Sequence, residues 1–143
     1  MNIFKAQILT PEGSLFDDEV TGVRMPGTMG SFEVKALHAN IISTLEVGEI
    51  IVRKAAGGEQ RFSVTGGFVE VVDNKLTLLA EAAEPVEEID VVRAETSKER
   101  AIERLASGEE HIDTERARRS LERAENRIKL SVDISASTQP ISS

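Results

Sequence analysis

Six arginines at regular spacing are the residues of this sequence best suited to bind an anion. They fall into two groups, Arg93, Arg100 and Arg104, and then Arg116, Arg123 and Arg127. A guanidinium donates paired hydrogen bonds to a phosphate or carboxylate in a fixed planar geometry. Arginines along one rim of a folded helix pair could therefore hold a phosphate-bearing ligand.

The same arginines also fit a simpler hypothesis, a solvated helix face with ion pairs between neighbouring turns. Such pairs are available four residues apart, as Glu115–Arg119, Arg118–Glu122 and Glu125–Lys129. Ion pairs at this spacing stabilise a helix without any ligand. Spacing alone does not decide between an anion site and a solvated face, and both hypotheses stay open.

A short motif is repeated ahead of the two arginine groups. The first copy runs Ile89-Asp90-Val91-Val92-Arg93-Ala94, and the second runs Ile112-Asp113-Thr114-Glu115-Arg116-Ala117. An Asp at the N-cap accepts hydrogen bonds from free backbone amides, and the preceding Ile can lie over the Ala as a hydrophobic staple. The repeat therefore predicts two helix starts, and it needs no ligand to explain it.

Two helices are needed to position these arginines, and the apolar pattern supplies them. Apolar residues recur in steps of three, four or seven at Val91, Ala94, Ala101 and Leu105, and again at Ala117, Leu121, Ala124 and Ile128. Each series is one apolar stripe on a helix. A turn at Ser107-Gly108-Glu109-Glu110 then predicts an antiparallel two-helix hairpin over residues 85–132. The Ser-rich residues 133–143 are predicted to be a disordered tail.

Residues 1–84 are predicted to form an antiparallel β-sandwich, because short β-branched runs alternate with turn residues. The predicted strands are Ile3–Leu9, Glu19–Met25, Ile41–Leu45, Glu49–Lys54, Arg61–Thr65, Phe68–Val72 and Leu76–Ala80. The predicted turns include Pro26-Gly27, Val47-Gly48, Gly57-Gly58, Gly66-Gly67 and Asp73-Asn74-Lys75. Since aromatic residues make up only 3% of the chain, the core must be aliphatic, with Phe as its only large ring.

Composition excludes several classes of function. A net charge of −8 argues against nucleic-acid binding, which needs a basic face. The absence of cysteine excludes disulfides and thiolate metal sites, and the two histidines lack metal-ligand spacing. No stretch approaches the ~20 apolar residues that span a bilayer, so we expect a soluble, cytoplasmic chain without direct membrane insertion. No Gly-x-x-x-x-Gly-Lys-Ser/Thr loop and no Ser-His-Asp arrangement is found, so we expect no catalysis.

The order and spacing of these motifs resemble the epsilon subunit of bacterial F-type ATP synthases, whose mitochondrial counterpart is called delta. The resemblance extends from Ile3 to Ile128. It rests on Thr10-Pro11-Glu12-Gly13, the stretch Val23-Arg24-Met25-Pro26-Gly27-Thr28-Met29-Gly30-Ser31-Phe32, His38-Ala39, Gly66-Gly67-Phe68-Val69-Glu70-Val71 and Asp73-Asn74-Lys75-Leu76-Thr77-Leu78-Leu79-Ala80. Family members have an N-terminal β-sandwich followed by two helices, which agrees with the fold predicted above.

The resemblance implies a non-catalytic rotor subunit of the central stalk of a proton-translocating synthase. Its partners would be the gamma subunit, the membrane c-ring, and the alpha and beta subunits when the helices extend to restrain ATP hydrolysis. The loop at Met29, Gly30 and Ser31 would face the ring, and the neighbourhood of His38 would face gamma. The chain would then lie at the cytoplasmic face of the bacterial cell membrane, held there by the complex.

Some family members bind regulatory ATP on the helical hairpin, and this sequence matches their motif at Ile89, Asp90, Arg93 and Ala94. The matching basic and acidic positions are Arg100, Arg116, Arg123, Arg127 and Glu84. No other cofactor is implied. The chain departs from the family between Glu33 and Asn40, where it lacks the usual prolines, so we expect that loop to be more adaptable.

Two other functions remain compatible with these residues. One is a stand-alone ATP-sensing module, which the arginine rim would permit, and the other is an adaptor with a β-sandwich platform and a helical extension. His38 likewise fits a hydrogen-bonded turn residue as well as a contact residue.

Overall fold

The computed structural model of the chain describes residues 2–108 and 113–138, with side chains as far as Val132. It divides into two compact units, Met1–Pro85 and Val86–Ser143. Within the described residues, the first unit consists of strands and their connections, and the second contains the helices. Strands followed by two helices confirm the predicted fold class.

Seven strands form the first unit. They are β1 (Phe4–Thr10), β2 (Gly13–Gly27), β3 (Gly30–Lys35), β4 (Ile41–Lys54), β5 (Glu59–Val72), β6 (Lys75–Ala80) and β7 (Ala83–Pro85). Their ladder runs β1-β6-β5-β4-β2-β3, β1 also pairs with β2, and β7 pairs with β5. The additional pairing closes five strands into a ring, and β3 and β7 extend it.

The sheet is not antiparallel throughout, because β1 and β6 run parallel to each other. The other pairings, such as β1 with β2 and β5 with β6, are antiparallel. A ring of five strands cannot alternate direction all the way round, so closing it requires one parallel pair. The sequence patterns identify strands but do not reveal ring closure, which is why this pair was not expected.

Four of the predicted short strands are joined into two long ones. The expected turns at Val47-Gly48 and Gly66-Gly67 are wrong, since both lie inside the β4–β5 ladder, where Val47 is opposite Thr65. Gly67 has a φ of 140°, and a Cβ there would overlap the Leu79 carbonyl oxygen. These glycines therefore allow β4 and β5 to bend and to approach neighbouring strands closely. They do not reverse the direction of the chain.

The turn predicted at Pro26-Gly27 is also displaced. Both residues end β2, and the chain reverses at Thr28 and Met29 before β3 begins. The turns expected at Gly57-Gly58 and at Asp73-Asn74 are confirmed as the connections β4–β5 and β5–β6. Asp73 and Asn74 both have positive φ, 49° and 65°, as a two-residue hairpin turn requires.

An aliphatic core fills the ring, as the composition predicts. Within it Phe16 contacts Phe62, and their rings meet edge to face with centroids 6.3 Å apart. The largest fully buried side chains are Phe62, Ile8, Met25, Ile50, Leu76, Leu78, Val20, Val23, Val34, Val52, Val64 and Val69. All of them belong to the first unit, which therefore has a hydrophobic core of its own.

The second unit consists of a 3-10 turn (Val86–Glu88) and two helices, α1 (Val91–Ser107) and α2 (Thr114–Thr138). α1 is capped at its C-terminus by Gly108, whose φ of 67° is the left-handed conformation that terminates many helices. The two helices pack on each other, and α2 also contacts the 3-10 turn that precedes α1. A short connection followed by side-by-side packing makes the pair antiparallel, as predicted.

α2 extends further than the sequence suggested. It continues to Thr138, six residues into the segment predicted to be a tail, and residues 139–143 lie outside the described residues. Neither glycine nor proline occurs between Val132 and Pro140 to end the helix. Ser and Thr are only modestly worse helix formers than Ala, so a Ser-rich composition alone does not stop a helix.

Candidate functional site

The repeated motif caps both helices of the hairpin. Asp90 is the N-cap of α1, where its Oδ1 accepts a hydrogen bond from the backbone amide of Arg93 at 3.0 Å. Asp113 Oδ1 accepts from the backbone amide of Arg116 at the same distance. The predicted N-caps are therefore confirmed. Ile112, the staple residue of the second copy, lies outside the described residues.

Four alanines form the contact side of the two helices. Ala94 and Ala101 of α1 and Ala117 and Ala124 of α2 are at most 2% exposed. Within each helix the two alanines are seven residues apart, the repeat that keeps one seam facing a partner helix. Small side chains at these positions let the helices lie close together, so the alanine of the motif serves packing.

Each of these alanines is directly preceded by an arginine. The four arginines are Arg93, Arg100, Arg116 and Arg123, and the first three are exposed while Arg123 is half-buried. On two antiparallel helices, residues that precede equivalent seam positions lie on the same side of the pair. By this rule the four guanidiniums share one rim of the hairpin, which is the arrangement that the anion hypothesis requires.

These four guanidiniums have no hydrogen bond or ion pair with any other part of the chain that the structure describes. The ion pair found beside them joins Glu115 and Arg118, with 2.8 Å between Oε1 and Nη1. Those residues are three positions apart, whereas the sequence suggested a Glu115–Arg119 pair. The ion pair of Arg118 fits a solvated face, and the four arginines beside the alanines fit both hypotheses.

The remaining predicted members of the anion site differ from these four. Arg127 is half-buried and already engaged in an interaction within the chain. Ile89 is half-buried and precedes the N-cap of α1. Glu84 belongs to the first unit, where it lies opposite Ser63 in the β5–β7 ladder and is likewise engaged. Among the described residues, the four arginines that precede the alanines have no side-chain partner, and the same is true of Arg104 and Arg119.

The predicted partner-contact residues lie at the two ends of β3. Met29 is 99% exposed in the turn before β3, beside Gly30 and the exposed Ser31. His38 follows the other end of the strand, and its Nδ1 donates to the carbonyl oxygen of Ala39 at 2.8 Å. Six residues of strand span about 20 Å, so the two places are far enough apart to contact different partners.

Two asparagines that the sequence interpretation did not single out hold the loop around His38. The Leu37 amide donates to Asn74 Oδ1 at 2.7 Å, and the Asp73 amide donates to Asn40 Oδ1 at 3.1 Å. The expectation of an adaptable loop, based on its missing prolines, overlooked these bonds. The signal available in the sequence was Asn74 itself, in a turn dipeptide that favours positive φ.

Other kinds of site are not indicated by the described residues. Residues 2–108 and 113–132 contain no group of three or more His, Cys, Asp or Glu side chains placed to hold a metal ion. Within the same part of the chain, no helix has the length and apolar character needed to cross a bilayer.

Comparison with known proteins gives consistent matches over both units. The family described as ATP synthase, Delta/Epsilon chain, beta-sandwich domain matches residues 3–86. The family described as ATP synthase, Delta/Epsilon chain, long alpha-helix domain matches residues 87–131. Together they cover nearly all of the described chain.

Individual relatives carry the same description. The ATP synthase epsilon chain of Protochlamydia amoebophila is 46% identical over 132 residues, which cover 92% of this chain and 90% of the relative. That of Salinibacter ruber is 46% identical over 109 residues, 71% of this chain and 73% of the relative.

A solved structure resembles the fold at lower sequence identity. A chain in the cryo-EM structure of the Euglena gracilis mitochondrial ATP synthase, OSCP/F1/c-ring in rotational state 1, superposes with a TM-score of 0.75 at 20% identity. The match covers 92% of this chain and 79% of that one. At such identity the likeness concerns the fold alone.

Proposed function

The chain belongs to the ATP synthase delta/epsilon family, and on that premise we propose that it is a non-catalytic rotor subunit in the central stalk of a proton-translocating F-type synthase. In this proposal the β unit joins the gamma subunit to the c-ring. The chain is then peripheral to the cytoplasmic face of the cell membrane, held there by the complex. Family matches over both units, residues 3–86 and 87–131, are the observation that carries the proposal.

The exposed loops of the β unit support the proposal that it contacts two different partner subunits. Met29 is a large apolar side chain in water at a turn tip, where it adds nothing to the core of its own unit. Exposed apolar side chains of this kind are common at protein interfaces. We assign the loop Met29–Ser31 to the ring and the neighbourhood of His38 to gamma, at the other end of β3.

Co-purification with the other synthase subunits tests this assignment. The chain is expected to be retained by gamma, by the c-ring, and by a complex with alpha and beta. Met29→Asp should weaken retention by the ring while leaving retention by gamma unchanged. Ala56→Asp, which adds the same charge in the exposed β4–β5 turn, is the matched control. A chain that is retained by none of these subunits contradicts the proposal.

We further propose that the helical unit inhibits ATP hydrolysis and that regulatory ATP binds to its arginine rim. Arg93, Arg100, Arg116 and Arg123 have no side-chain partner among the described residues, and each directly precedes a buried alanine. Guanidiniums on the same side of a helix pair repel one another, and a bound polyphosphate would relieve that repulsion. ATP bound to the folded hairpin would shift the population toward it and away from an extended, inhibitory form.

Calorimetric titration of the isolated chain tests the nucleotide site. ATP is expected to release heat on binding and to raise the thermal midpoint of the helices. Absence of both effects at millimolar ATP would rule out the site while leaving the rotor assignment intact. ATP binding without retention by any synthase subunit would instead favour the stand-alone ATP sensor.

A further inference from the structure

One apolar residue beside His38 is held in an unfavourable backbone conformation while pointing into water. Leu37 has a φ of 62°, which places an L-residue with a branched side chain in the left-handed region. Its side chain is nonetheless 79% exposed. Steric strain of this kind persists only where surrounding structure imposes it. Since Leu37 adds nothing to the core, packing does not account for its conformation.

The turn that contains Leu37 is closed by the His38 amide, which donates to the Lys35 carbonyl oxygen at 3.3 Å. Leu37 is the third residue of this turn, the position at which a type II turn has a positive φ. Asn74 adds a long-range bond to the same turn from the neighbouring β5–β6 turn. Its Oδ1 accepts the Leu37 amide at 2.7 Å, and its Nδ2 donates to the Ile3 carbonyl oxygen at 3.3 Å. One side chain thus ties the β3–β4 loop and the start of the chain to a third segment. Asn74 itself has a φ of 65°, which Asn tolerates better than most residues.

A second hydrogen bond joins the β3–β4 loop to the β5–β6 turn, and here the loop supplies the acceptor and the turn the donor. The Asp73 amide donates to Asn40 Oδ1 at 3.1 Å, so each connection supplies one side-chain acceptor to the other's backbone. Leu37 and Asn40 are thereby both fixed relative to the β5–β6 turn, and His38 lies between them. The loop is restrained by hydrogen bonds at positions where it has no proline.

We propose that Asn74 is a positioning residue that holds Leu37 and His38 in their contact conformation before the chain meets its rotor partner. The inference rests on the proposed function, which assigns the neighbourhood of His38 to the gamma subunit. A loop that is already ordered loses less conformational entropy on binding, so preorganisation raises affinity without adding a contact. Leu37 is then an exposed apolar anchor, and the strain of its backbone serves docking.

Glycine substitutions at two adjacent positions separate the side-chain bonds from the turn geometry. Asn74→Gly removes both bonds of Asn74 but accepts positive φ without strain. Asp73→Gly is the matched control, because Asp73 also has positive φ and contributes only its backbone amide to these bonds. Asn74→Asp keeps the acceptor for Leu37 and loses the donor to Ile3.

Amide hydrogen exchange of the full chain, followed by NMR, reads out the positioning directly. Asn74→Gly is expected to speed exchange of the Leu37 amide at least tenfold, whereas Asp73→Gly and Asn74→Asp leave it slow. Affinity for purified gamma subunit should fall about tenfold in Asn74→Gly and stay close to wild type in the other two variants. Unchanged exchange or unchanged affinity in Asn74→Gly overturns the proposal.

A second variant, Leu37→Asn, tests the proposal even if Asn74→Gly does not fold. Asn adopts a positive φ at a lower energetic cost than Leu, so this variant should be at least as thermally stable as the wild type. Because it lacks the apolar side chain, it should bind gamma about tenfold more weakly. Full affinity in Leu37→Asn overturns the anchor role. A wild-type chain that does not bind gamma at all contradicts the proposed function instead, and the exchange rates then decide the positioning role by themselves.

Discussion

Asp90 Oδ1 accepts a hydrogen bond from the backbone amide of Arg93 at 3.0 Å, and this bond begins the first helix of the hairpin. The acidic residue of the motif is therefore already engaged with the backbone. Arg93 receives that bond at its amide, while its side chain stays exposed. Asp90 therefore fixes the start of the helix, and the exposed side chain of Arg93 is the part of the motif that the proposed ATP site would use.

The capping role predicts how Asp90 responds to substitution. Asp90→Ala should destabilise the helical unit by about 1 kcal/mol, because the amide of Arg93 loses its acceptor. Asp90→Asn retains an acceptor of the same shape and should remain close to wild type. Thermal unfolding followed by helical circular dichroism distinguishes the two. Equal losses in both variants would mean that the charge, rather than the cap, is what matters.

The arginine rim predicts a selective loss of ATP binding. Arg93→Ala and Arg123→Ala should each weaken binding by about tenfold or more, since each removes a charged hydrogen-bond donor. Arg118→Ala is the matched control, because Arg118 pairs with Glu115 and does not precede a seam alanine. Titration calorimetry measures all three. A loss in Arg118→Ala as large as in the others would indicate general charge attraction rather than a site.

Lysine replacement separates geometry from charge at the same position. Arg93→Lys keeps the positive charge but cannot form the paired, planar hydrogen bonds of a guanidinium. We therefore expect it to restore little of the affinity lost in Arg93→Ala. Full recovery of ATP affinity in Arg93→Lys would contradict bidentate binding at this residue.

The four buried alanines between the helices predict that a larger side chain at any of these positions destabilises the hairpin. Ala101→Leu or Ala117→Leu should cost about 1–3 kcal/mol of stability in the helical unit, because a larger side chain forces the helices apart. Ala106→Leu, at an exposed position of α1, should have little effect. Circular dichroism melts provide the comparison. A seam variant as stable as Ala106→Leu would show that the helices do not pack through these alanines.

The bend in β5 predicts a strong effect at a single glycine. Gly67→Ala should destabilise the β unit by about 3 kcal/mol or more, since its Cβ would overlap the Leu79 carbonyl oxygen. Gly57→Ala isolates the cost of positive φ, because a Cβ there meets nothing within 4 Å. Its loss should be about 1–2 kcal/mol. Urea unfolding that gives both variants the same loss contradicts the close approach.

Local patterns predicted the elements of this fold well. β-branched runs identify most of the strands, and the repeated motif identifies both N-caps because capping is decided within four residues of chain. The prediction of a turn at Gly66-Gly67 was wrong because its outcome is not decided locally. A pair of glycines indicates unusual backbone geometry, but only the neighbouring strand determines whether the chain reverses or bends.

Contacts between residues far apart in the sequence could not be predicted from those local patterns. Parallel pairing of β1 with β6 follows from the closure of a ring, which no local window contains. The bond between Asn74 and the Leu37 amide joins residues 37 positions apart. The arginines of the candidate site were found because their spacing follows the helix period, whereas Asn74 was missed because its partner lies in another loop.

Truncation after Pro85 tests the central division of roles most directly. Wild-type chain and residues 1–85 would each be added to a synthase complex that lacks this subunit, and both binding and ATP hydrolysis would be measured. The truncated chain, which keeps the entire β core, is expected to fold and bind but no longer to restrain hydrolysis. A truncated chain that inhibits as strongly as the full one would contradict this division of roles.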